Sequence, residues 1–187
     1  MREDEIRRYF IQQMTLRPAM RLLDVGCGTG TLAILIHQDR QSVAVSGLDG
    51  DPAILARATA KASRAGAAIC WDLGLATELP YARHSFDRVV SSLVMHHLTE
   101  PDKARALREA CRVLRPGGEL HILDFGPPRD RYGRITAGIM RHFEETAAQF
   151  AGRLPDLIRA AGFTEVEIHY RFTVLFGYLD SLRAVKP

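Results

Sequence analysis

A glycine-rich segment that follows a short apolar run carries the strongest chemical signal in this chain. Residues 22–30 read LLDVGCGTG, and the apolar stretch TLAILIHQ follows directly. A strand that leads into such a turn and then into a helix brings backbone N–H groups close to a ligand at the carboxyl end of the strand. The pattern predicts a ligand-binding loop built on Gly26, Gly28 and Gly30.

Asp24 narrows the kind of ligand that this loop could bind. A dinucleotide loop requires G-x-G-x-x-G, and Gly26 and Gly28 fit that pattern, but Thr31 occupies the third glycine position. A carboxylate at the mouth of the loop repels a pyrophosphate and attracts an ammonium or a sulfonium group. The sequence therefore favours a cationic ligand.

The tandem pair His96-His97 and three separate cysteines could also do chemistry. Neither set has metal-ligand spacing, because neighbouring histidines project in different directions and the cysteines form no CxxC pair. We therefore predict no bound metal. A neutral histidine can accept a proton near pH 7, which makes one of this pair a better candidate for a general base than Asp124.

The elements that must position these residues alternate regularly along the chain. Short apolar runs of strand character occur at 21–25, 43–48, 67–71, 87–93 and 119–125, with helical patterns between them. This alternation predicts a doubly wound α/β fold, in which helices cover both faces of a parallel sheet. The patterns at 166–170 and 178–185 predict a C-terminal antiparallel hairpin at the sheet edge.

Two of the predicted helices have clear end signals. Asp51 and Pro52 are typical of an N-cap and a first helical residue, and Gly66 is a stop signal. A second helix is predicted to start near Thr99 and to break at Pro116-Gly117-Gly118.

Composition indicates an ordinary globular protein. The chain has 187 residues, of which 47% are hydrophobic and 25% are charged, and this length favours a single domain spanning 1–187. A net charge of +3 is too small to predict a nucleic-acid partner. The sequence shows neither a signal peptide nor an apolar run long enough to span a membrane. We expect a cytoplasmic protein that does not insert into a membrane.

Five motifs, in the same order, resemble the class I S-adenosylmethionine-dependent methyltransferases, and within them the ubiquinone/menaquinone-biosynthesis (type 11) branch. The motifs are DVGCGTG at 24–30, GLD at 47–49, LPY to SFD at 79–87, SSLVMHHL at 91–98 and VLRPGG at 113–118. The resemblance implies a Rossmann-like, mostly parallel sheet of seven strands. It also implies that S-adenosyl-L-methionine donates a methyl group to a small-molecule acceptor, which leaves S-adenosyl-L-homocysteine as the product.

The resemblance further implies which residues contact the cofactor. They are Asp24, Gly26, Cys27, Gly28, Thr29, Gly30, Asp49, Gly50, Leu75, Ala76, Ser91, Ser92 and Leu93. The glycine-loop backbone is expected to bind the amino-acid end, with Asp24 supporting the loop and the ammonium group. Asp49 is expected to accept both ribose hydroxyls.

The remaining implied contacts concern the adenine, the methionyl amine and the acceptor. Leu75 and Ala76 would line the adenine, and the backbone carbonyls of 91–93 would lie near the methionyl amine. His96 or His97 would point toward the acceptor as the catalytic residue.

Two departures from the family pattern affect these expectations. Leu75 replaces the acid that faces the adenine amino group in the family, and Asp72 lies three residues too early unless the loop bulges. We therefore expect an open rim beside the adenine. The N-terminal helix segment 1–20 and the substrate-side segment 126–150 are both short, so we expect a shallow pocket or one that another chain completes, and a homodimer is left open.

Two alternatives remain at this point. A nicotinamide-dependent oxidoreductase fits the doubly wound pattern, although Asp24 and the missing third glycine oppose it. A protein that binds S-adenosylmethionine without catalysis, as a sensor or a partner subunit, fits the short substrate-side segment.

Overall fold

The structure is a computed structural model that describes residues 3–127, 152–174 and 177–187. The helices are α1 (Glu3–Gln13), α2 (Thr31–Asp39), α3 (Pro52–Arg64), α4 (Glu100–Val113) and α5 (Leu154–Ala160), and a 3-10 turn spans Met95–His97. The strands are β1 (Arg21–Val25), β2 (Ala44–Asp49), β3 (Cys70–Leu73), β4 (Phe86–Ser92), β5 (Leu114–Phe125), β6 (Thr164–Val174) and β7 (Gly177–Val185). Of the predicted substrate-side segment 126–150, all but the first two residues lie outside the described part of the chain. No described helix is both long and apolar enough to cross a bilayer.

The seven strands form one sheet in the order β3-β2-β1-β4-β5-β7-β6. β1 runs parallel to β2 on one side and to β4 on the other. The chain therefore builds the sheet outward from β1 in one direction up to β3, and then in the opposite direction from β4. In doubly wound sheets, ligands bind in the crevice outside the carboxyl ends of the strands at this reversal. The predicted seven-stranded, mostly parallel α/β fold is confirmed.

The C-terminal hairpin also forms as predicted, and its two strands differ in placement. β7 pairs antiparallel with both β5 and β6, so β6 becomes the edge strand. Most residues of β7 are buried, whereas most of β6 is exposed and carries charged side chains. The exposed charges of Glu165 and Glu167 suit an edge strand, because charged side chains discourage pairing with another chain.

Helices cover both faces of the sheet and create two apolar cores. One core joins α4 and α5 to the sheet and includes Leu107, Ile158 and Ile122 of β5. The other joins α1 and α2 to the sheet and includes Phe10 and Leu123 of β5. Neighbouring residues of a strand point to opposite faces, so Ile122 and Leu123 lie in different cores, as a doubly wound fold requires.

The boundary between α4 and β5 differs from the prediction. The helix ends at Val113, and β5 begins at Leu114 instead of after the Pro116-Gly117-Gly118 turn. Leu114 pairs with Phe86, both side chains are fully buried, and the register then shifts in a bulge before the regular pairing resumes. Burial of this apolar pair extends the strand through a segment whose local signals indicate a turn.

Candidate functional site

Left-handed backbone and close packing both require glycine in the loop between β1 and α2. Gly26, Gly28 and Gly30 have φ angles of 70°, 53° and 73°, which L side chains rarely adopt. A Cβ on Gly26 would lie 2.5 Å from Val94 Cγ2, and one on Gly30 would lie 2.4 Å from Trp71 Cη2. A Cβ on Gly28 would meet no described atom within 4 Å, so the loop is open at Gly28.

Hydrogen bonds to β2 and to the residues after it fix the position of the loop. The N–H of Gly26 donates to the Leu48 carbonyl at 2.8 Å. The N–H of Gly28 donates to Asp49 Oδ2 at 2.8 Å, and Asp49 Oδ1 accepts the N–H of Asp51 at 3.1 Å. Asp49 therefore joins the glycine loop to the start of α3, and each carboxylate oxygen retains a lone pair for a ligand hydroxyl.

Two adjoining cavities lie at the carboxyl ends of β1, β2 and β4. The larger cavity, about 390 Å³, is lined in part by Gly28, Asp49, Gly50, Leu75, Ala76 and His97. The smaller cavity, about 210 Å³, is lined in part by Asp24, Cys27, Gly28, Thr31, Ser92 and Arg7 of α1. Gly26, Gly28 and Leu93 line both cavities, so the glycine loop forms their shared wall.

Asp24 lies deeper than the sequence suggests. Its exposed fraction is 1% and Oδ2 has no hydrogen-bond partner among the described residues. Burial raises the pKa of the Asp24 carboxyl to about 7; the negative charge of Asp49 adds to this shift, and the Ala33 backbone offsets part of it. The expectation of a carboxylate at the loop mouth is corrected, since Asp24 is buried at the end of β1 and forms part of the wall of the smaller cavity.

Cys27, Thr29 and Gly50 have different surroundings. Cys27 is buried with Sγ 3.8 Å from the Gly28 carbonyl oxygen, and burial raises the pKa of its thiol, so the thiol stays neutral and is a poor nucleophile. Gly50 is exposed at the larger cavity. Thr29 is exposed and is not among the lining residues of either cavity.

Of the three residues at the end of β4 that were predicted to contact the cofactor, two line a cavity. Ser92 lines the smaller cavity, and Leu93 lines both with a left-handed φ of 58°. The N–H of Leu93 donates to the Leu123 carbonyl at 2.8 Å, which holds this uncommon conformation. Ser91 is buried inside the sheet and lines neither cavity, so the prediction that it contacts a ligand is not supported by its position.

The two histidines occupy different environments. His97 lines the larger cavity, whereas His96 is buried, with Nδ1 2.8 Å from Asp124 Oδ1. The backbone N–H of His96 also donates to Asp124 Oδ2 at 3.3 Å. The two imidazole centroids are 3.9 Å apart. The structure therefore directs only His97 to the cavity, and His96 lies behind it against a fully buried carboxylate.

The sequence left open whether Leu75 or Asp72 faces the position expected for the adenine. Leu75 lines the larger cavity with 61% of its surface exposed. Asp72 pairs regularly with Leu48 inside β3, and its Oδ2 accepts the hydroxyl of Tyr81 at 2.7 Å. Because the β2–β3 register has no bulge, Asp72 is not carried to the cavity rim, and the geometry favours the open-rim expectation.

Sequence reasoning missed several cavity residues, including Arg7 of α1, Ile54 of α3 and Val94 after β4. Val94 lies inside the motif at 91–98, and Ile54 lies in the first turn of the helix predicted after the GLD motif, so both could have been found from the recognised motifs. Arg7 lies far upstream of the loop in a charged helix, where no spacing connects it with the site.

Comparison with known proteins identifies the family. A family model described as a methyltransferase domain matches residues 22–118. The ubiquinone/menaquinone biosynthesis C-methyltransferase UbiE of Desulfotalea psychrophila is 32% identical over 186 residues, which cover 88% of this chain and 73% of that protein. The chain belongs to the class I S-adenosylmethionine-dependent methyltransferases, in the UbiE-like branch. S-Adenosylmethionine is therefore the methyl donor of this methyltransferase, as predicted.

Another relative and two solved structures extend the comparison. The 27-O-demethylrifamycin SV methyltransferase of Amycolatopsis mediterranei is 39% identical over 60% of this chain and 41% of that protein. The crystal structure of YcgJ from Bacillus subtilis has a TM-score of 0.80 at 16% identity and covers 98% of this chain and 99% of that one. The [4+2]-cyclase SpnF has a TM-score of 0.77 at 24% identity, over 98% of this chain and 81% of that one. At these identities the structures support the fold alone, and the sequence relatives support methyl transfer.

The residues present fit the cofactor of the methyltransferase. The unpartnered carboxylate oxygen of Asp24 on the smaller cavity suits an ammonium group, and a buried acceptor without a partner is costly unless a ligand supplies one. The same acid opposes a pyrophosphate, so the family assignment and the site both favour methyl transfer over the nicotinamide-dependent alternative.

Substitution of Asp72 in the methyltransferase tests whether the cavity is open beside the expected adenine position. We expect Asp72→Ala to change the dissociation constant of S-adenosylhomocysteine by less than about twofold, because Asp72 binds Tyr81 and does not line the cavity. Isothermal titration calorimetry measures this constant. A tenfold loss, equal to about 1.4 kcal/mol, would instead show that Asp72 reaches the adenine amine.

Proposed function

We propose that the chain binds S-adenosylmethionine across the two cavities and methylates a small molecule that approaches beside His97. The observation that carries this placement is the buried Asp24 oxygen without a partner, which suits the methionyl ammonium. Asp49 accepts the ribose hydroxyls at the larger cavity, and Leu75 and Ala76 pack against the adenine.

Alignment and proton transfer are the main tasks of the residues around the cavities. When bound, S-adenosylmethionine supplies a methyl group that its sulfonium has already activated, so the protein has to orient the acceptor and exclude water. His97 lies on the larger cavity and accepts the proton that the acceptor loses. His96, bound to Asp124 and 3.9 Å from the His97 ring, holds that ring in place.

We further propose a hydroquinone acceptor that is methylated on a ring carbon. Support comes from relatives named ubiquinone/menaquinone biosynthesis C-methyltransferase UbiE, including the Dinoroseobacter shibae protein, which is 34% identical over 81% of this chain. In such a step the ring carbon beside a phenolate attacks the methyl carbon as the carbon–sulfur bond breaks. The ring carbon then loses its proton, which restores the aromatic ring, and His97 accepts that proton.

The cofactor assignment is tested by thermal unfolding with two ligands side by side. We expect S-adenosylhomocysteine to raise the melting temperature and NAD to leave it unchanged. A ligand at one hundred times its dissociation constant stabilises the native state by about 2.7 kcal/mol. A shift with NAD and none with S-adenosylhomocysteine would overturn the assignment.

The acceptor is tested with trideuteromethyl-labelled S-adenosylmethionine and a reduced 1,4-naphthoquinone that carries a short prenyl chain. We expect a product labelled on a ring carbon, identified by mass spectrometry and proton NMR, and a much lower kcat in His97→Gln. A labelled methyl ether would contradict carbon methylation. Binding of S-adenosylhomocysteine without any transfer to this acceptor would reject the hydroquinone proposal and leave methyl transfer to a different small molecule.

A further inference from the structure

Arg7 brings a positive charge from α1 to the smaller cavity, where it shares the lining with Asp24, Thr31 and Ser92. The residue lies outside the region 22–118 that the family model matches. The flanking positions Ile6 and Phe10 are buried in the core beneath α1. Packing of these apolar side chains fixes the face of α1 and so directs Arg7 toward the cavity.

Arg7 forms ion pairs with two exposed acids of its own helix. Its guanidinium lies 3.1 Å from Glu3 and 3.5 Å from Asp4, and the side chains of these two acids are 74% and 79% exposed. Exposed ion pairs within one helix contribute little, because water screens them and the side chains lose freedom. Arg7, whose own side chain is only 21% exposed, can therefore exchange these acids for a carboxylate inside the cavity at small cost.

The smaller cavity thus combines a buried acid with an arginine. We infer that Arg7 and Asp24 together recognise the zwitterionic amino-acid group of the cofactor, Arg7 binding its carboxylate and Asp24 its ammonium. This inference rests on the proposed placement of the cofactor and adds a residue that determines specificity. Guanidinium and carboxylate form strong, charge-assisted hydrogen bonds, whereas Asp24 by itself would accept any amine.

Arg7 accordingly selects ligands that carry an intact amino-acid end. Nucleosides that lack the carboxylate, such as decarboxylated cofactor products, retain the adenine, the ribose and the ammonium and lose only the contact with Arg7. Binding of the carboxylate also connects α1 to the glycine loop, because the two walls of the cavity then share one ligand.

Three ligands separate the contributions of the two residues by isothermal titration calorimetry. S-Adenosylhomocysteine has both charged groups, 5′-(3-aminopropylthio)-5′-deoxyadenosine lacks the carboxylate, and 5′-methylthioadenosine lacks both. For the native protein we expect the first to bind about tenfold to a hundredfold more tightly than the second. Arg7→Gln should abolish this difference, and its affinity for 5′-methylthioadenosine should be unchanged.

Two further variants control the experiment. Asp24→Asn should weaken both amine-containing ligands and spare 5′-methylthioadenosine. Arg8→Gln changes a neighbouring charge in the groove between α1 and α2, and it should leave all three affinities unchanged. Binding of 5′-methylthioadenosine also confirms that each variant is folded.

The outcomes distinguish this inference from the proposed function. If Arg7→Gln weakens S-adenosylhomocysteine and its decarboxylated analogue equally, or weakens neither, Arg7 does not bind the carboxylate and the inference is wrong. If the native protein does not bind S-adenosylhomocysteine at all, the proposed cofactor placement itself fails.

Discussion

Replacement of Asp49 by alanine is expected to weaken S-adenosylhomocysteine binding by at least about a hundredfold. In the proposed placement Asp49 accepts two charge-assisted hydrogen bonds from ribose hydroxyls, worth about 1.5–3 kcal/mol each, and every 1.4 kcal/mol corresponds to about tenfold in affinity. The substitution also removes the acceptor for the N–H groups of Gly28 and Asp51, so the glycine loop loses an anchor. Isothermal titration calorimetry of the two proteins measures the loss.

Asp51, two residues away, is a matched control for Asp49. Its Oδ1 accepts the N–H groups of Ala53 at 2.8 Å and Ile54 at 3.3 Å, which confirms the predicted N-cap of α3. Asp51→Ala should lower the free energy of unfolding in urea by about 1 kcal/mol and leave the affinity within about twofold. If Asp51→Ala damaged binding more than Asp49→Ala did, the assignment of the ribose-binding acid would be wrong.

Binding of S-adenosylhomocysteine is expected to weaken as the pH falls below about 7. In the proposed placement the methionyl ammonium pairs with ionised Asp24, and burial raises the pKa of this carboxyl to about 7 in the free protein. Below that pH, binding has to remove the proton, so affinity should fall by up to about tenfold per pH unit. Calorimetry between about pH 5.5 and 8.5, in buffers of different ionisation enthalpy, measures both the affinity and the proton release.

The free protein should show the opposite dependence in its stability. An acid whose pKa is 3.8 when unfolded and about 7 when folded binds protons more tightly in the folded state, so the free energy of unfolding decreases as the pH rises between these values. Each pKa unit corresponds to about 1.36 kcal/mol, which makes the full effect up to about 4 kcal/mol. Above about pH 7 this contribution is constant.

Asp24→Asn isolates the contribution of Asp24 from other titrating groups. Burial lowers the pKa of His121 from 6.5, so His121 reduces stability at acidic pH in both proteins, and its effect cancels in the difference. The variant should bind S-adenosylhomocysteine weakly at every pH and lose the pH dependence of binding near 7. A variant that keeps the native pH profile would show that another group controls it.

Local patterns account for much of the fold and of the cofactor site. An N-cap acid followed by proline predicts the start of α3, because the side chain bonds amides only two and three residues away. The glycine loop is predicted for the same reason, since left-handed φ angles at Gly26, Gly28 and Gly30 depend on the backbone of those residues. The approximate positions of the first five strands along the chain, and the terminal hairpin, follow from the spacing of apolar residues and the alternation of apolar and polar residues.

Other features depend on contacts between distant segments, which spacing does not encode. β5 starts at Leu114 because its side chain is buried against Phe86, although the local residues indicate a turn. The placement of β7 between β5 and β6 depends on how much of each strand the sheet buries. In the same way, only the buried partner Asp124 distinguishes His96 from His97.

The sequence by itself determined the cofactor class through five ordered motifs that resemble the family, whereas the chemistry of Asp24 and the loop glycines alone favoured only a cationic ligand. Only the tertiary structure decided that Asp24 is buried with an oxygen that has no partner among the described residues, and that Arg7 reaches the same cavity from α1. Burial and charge pairing arise when the sheet brings separate segments together, and they determine both the pKa of Asp24 and the charges that surround the ligand.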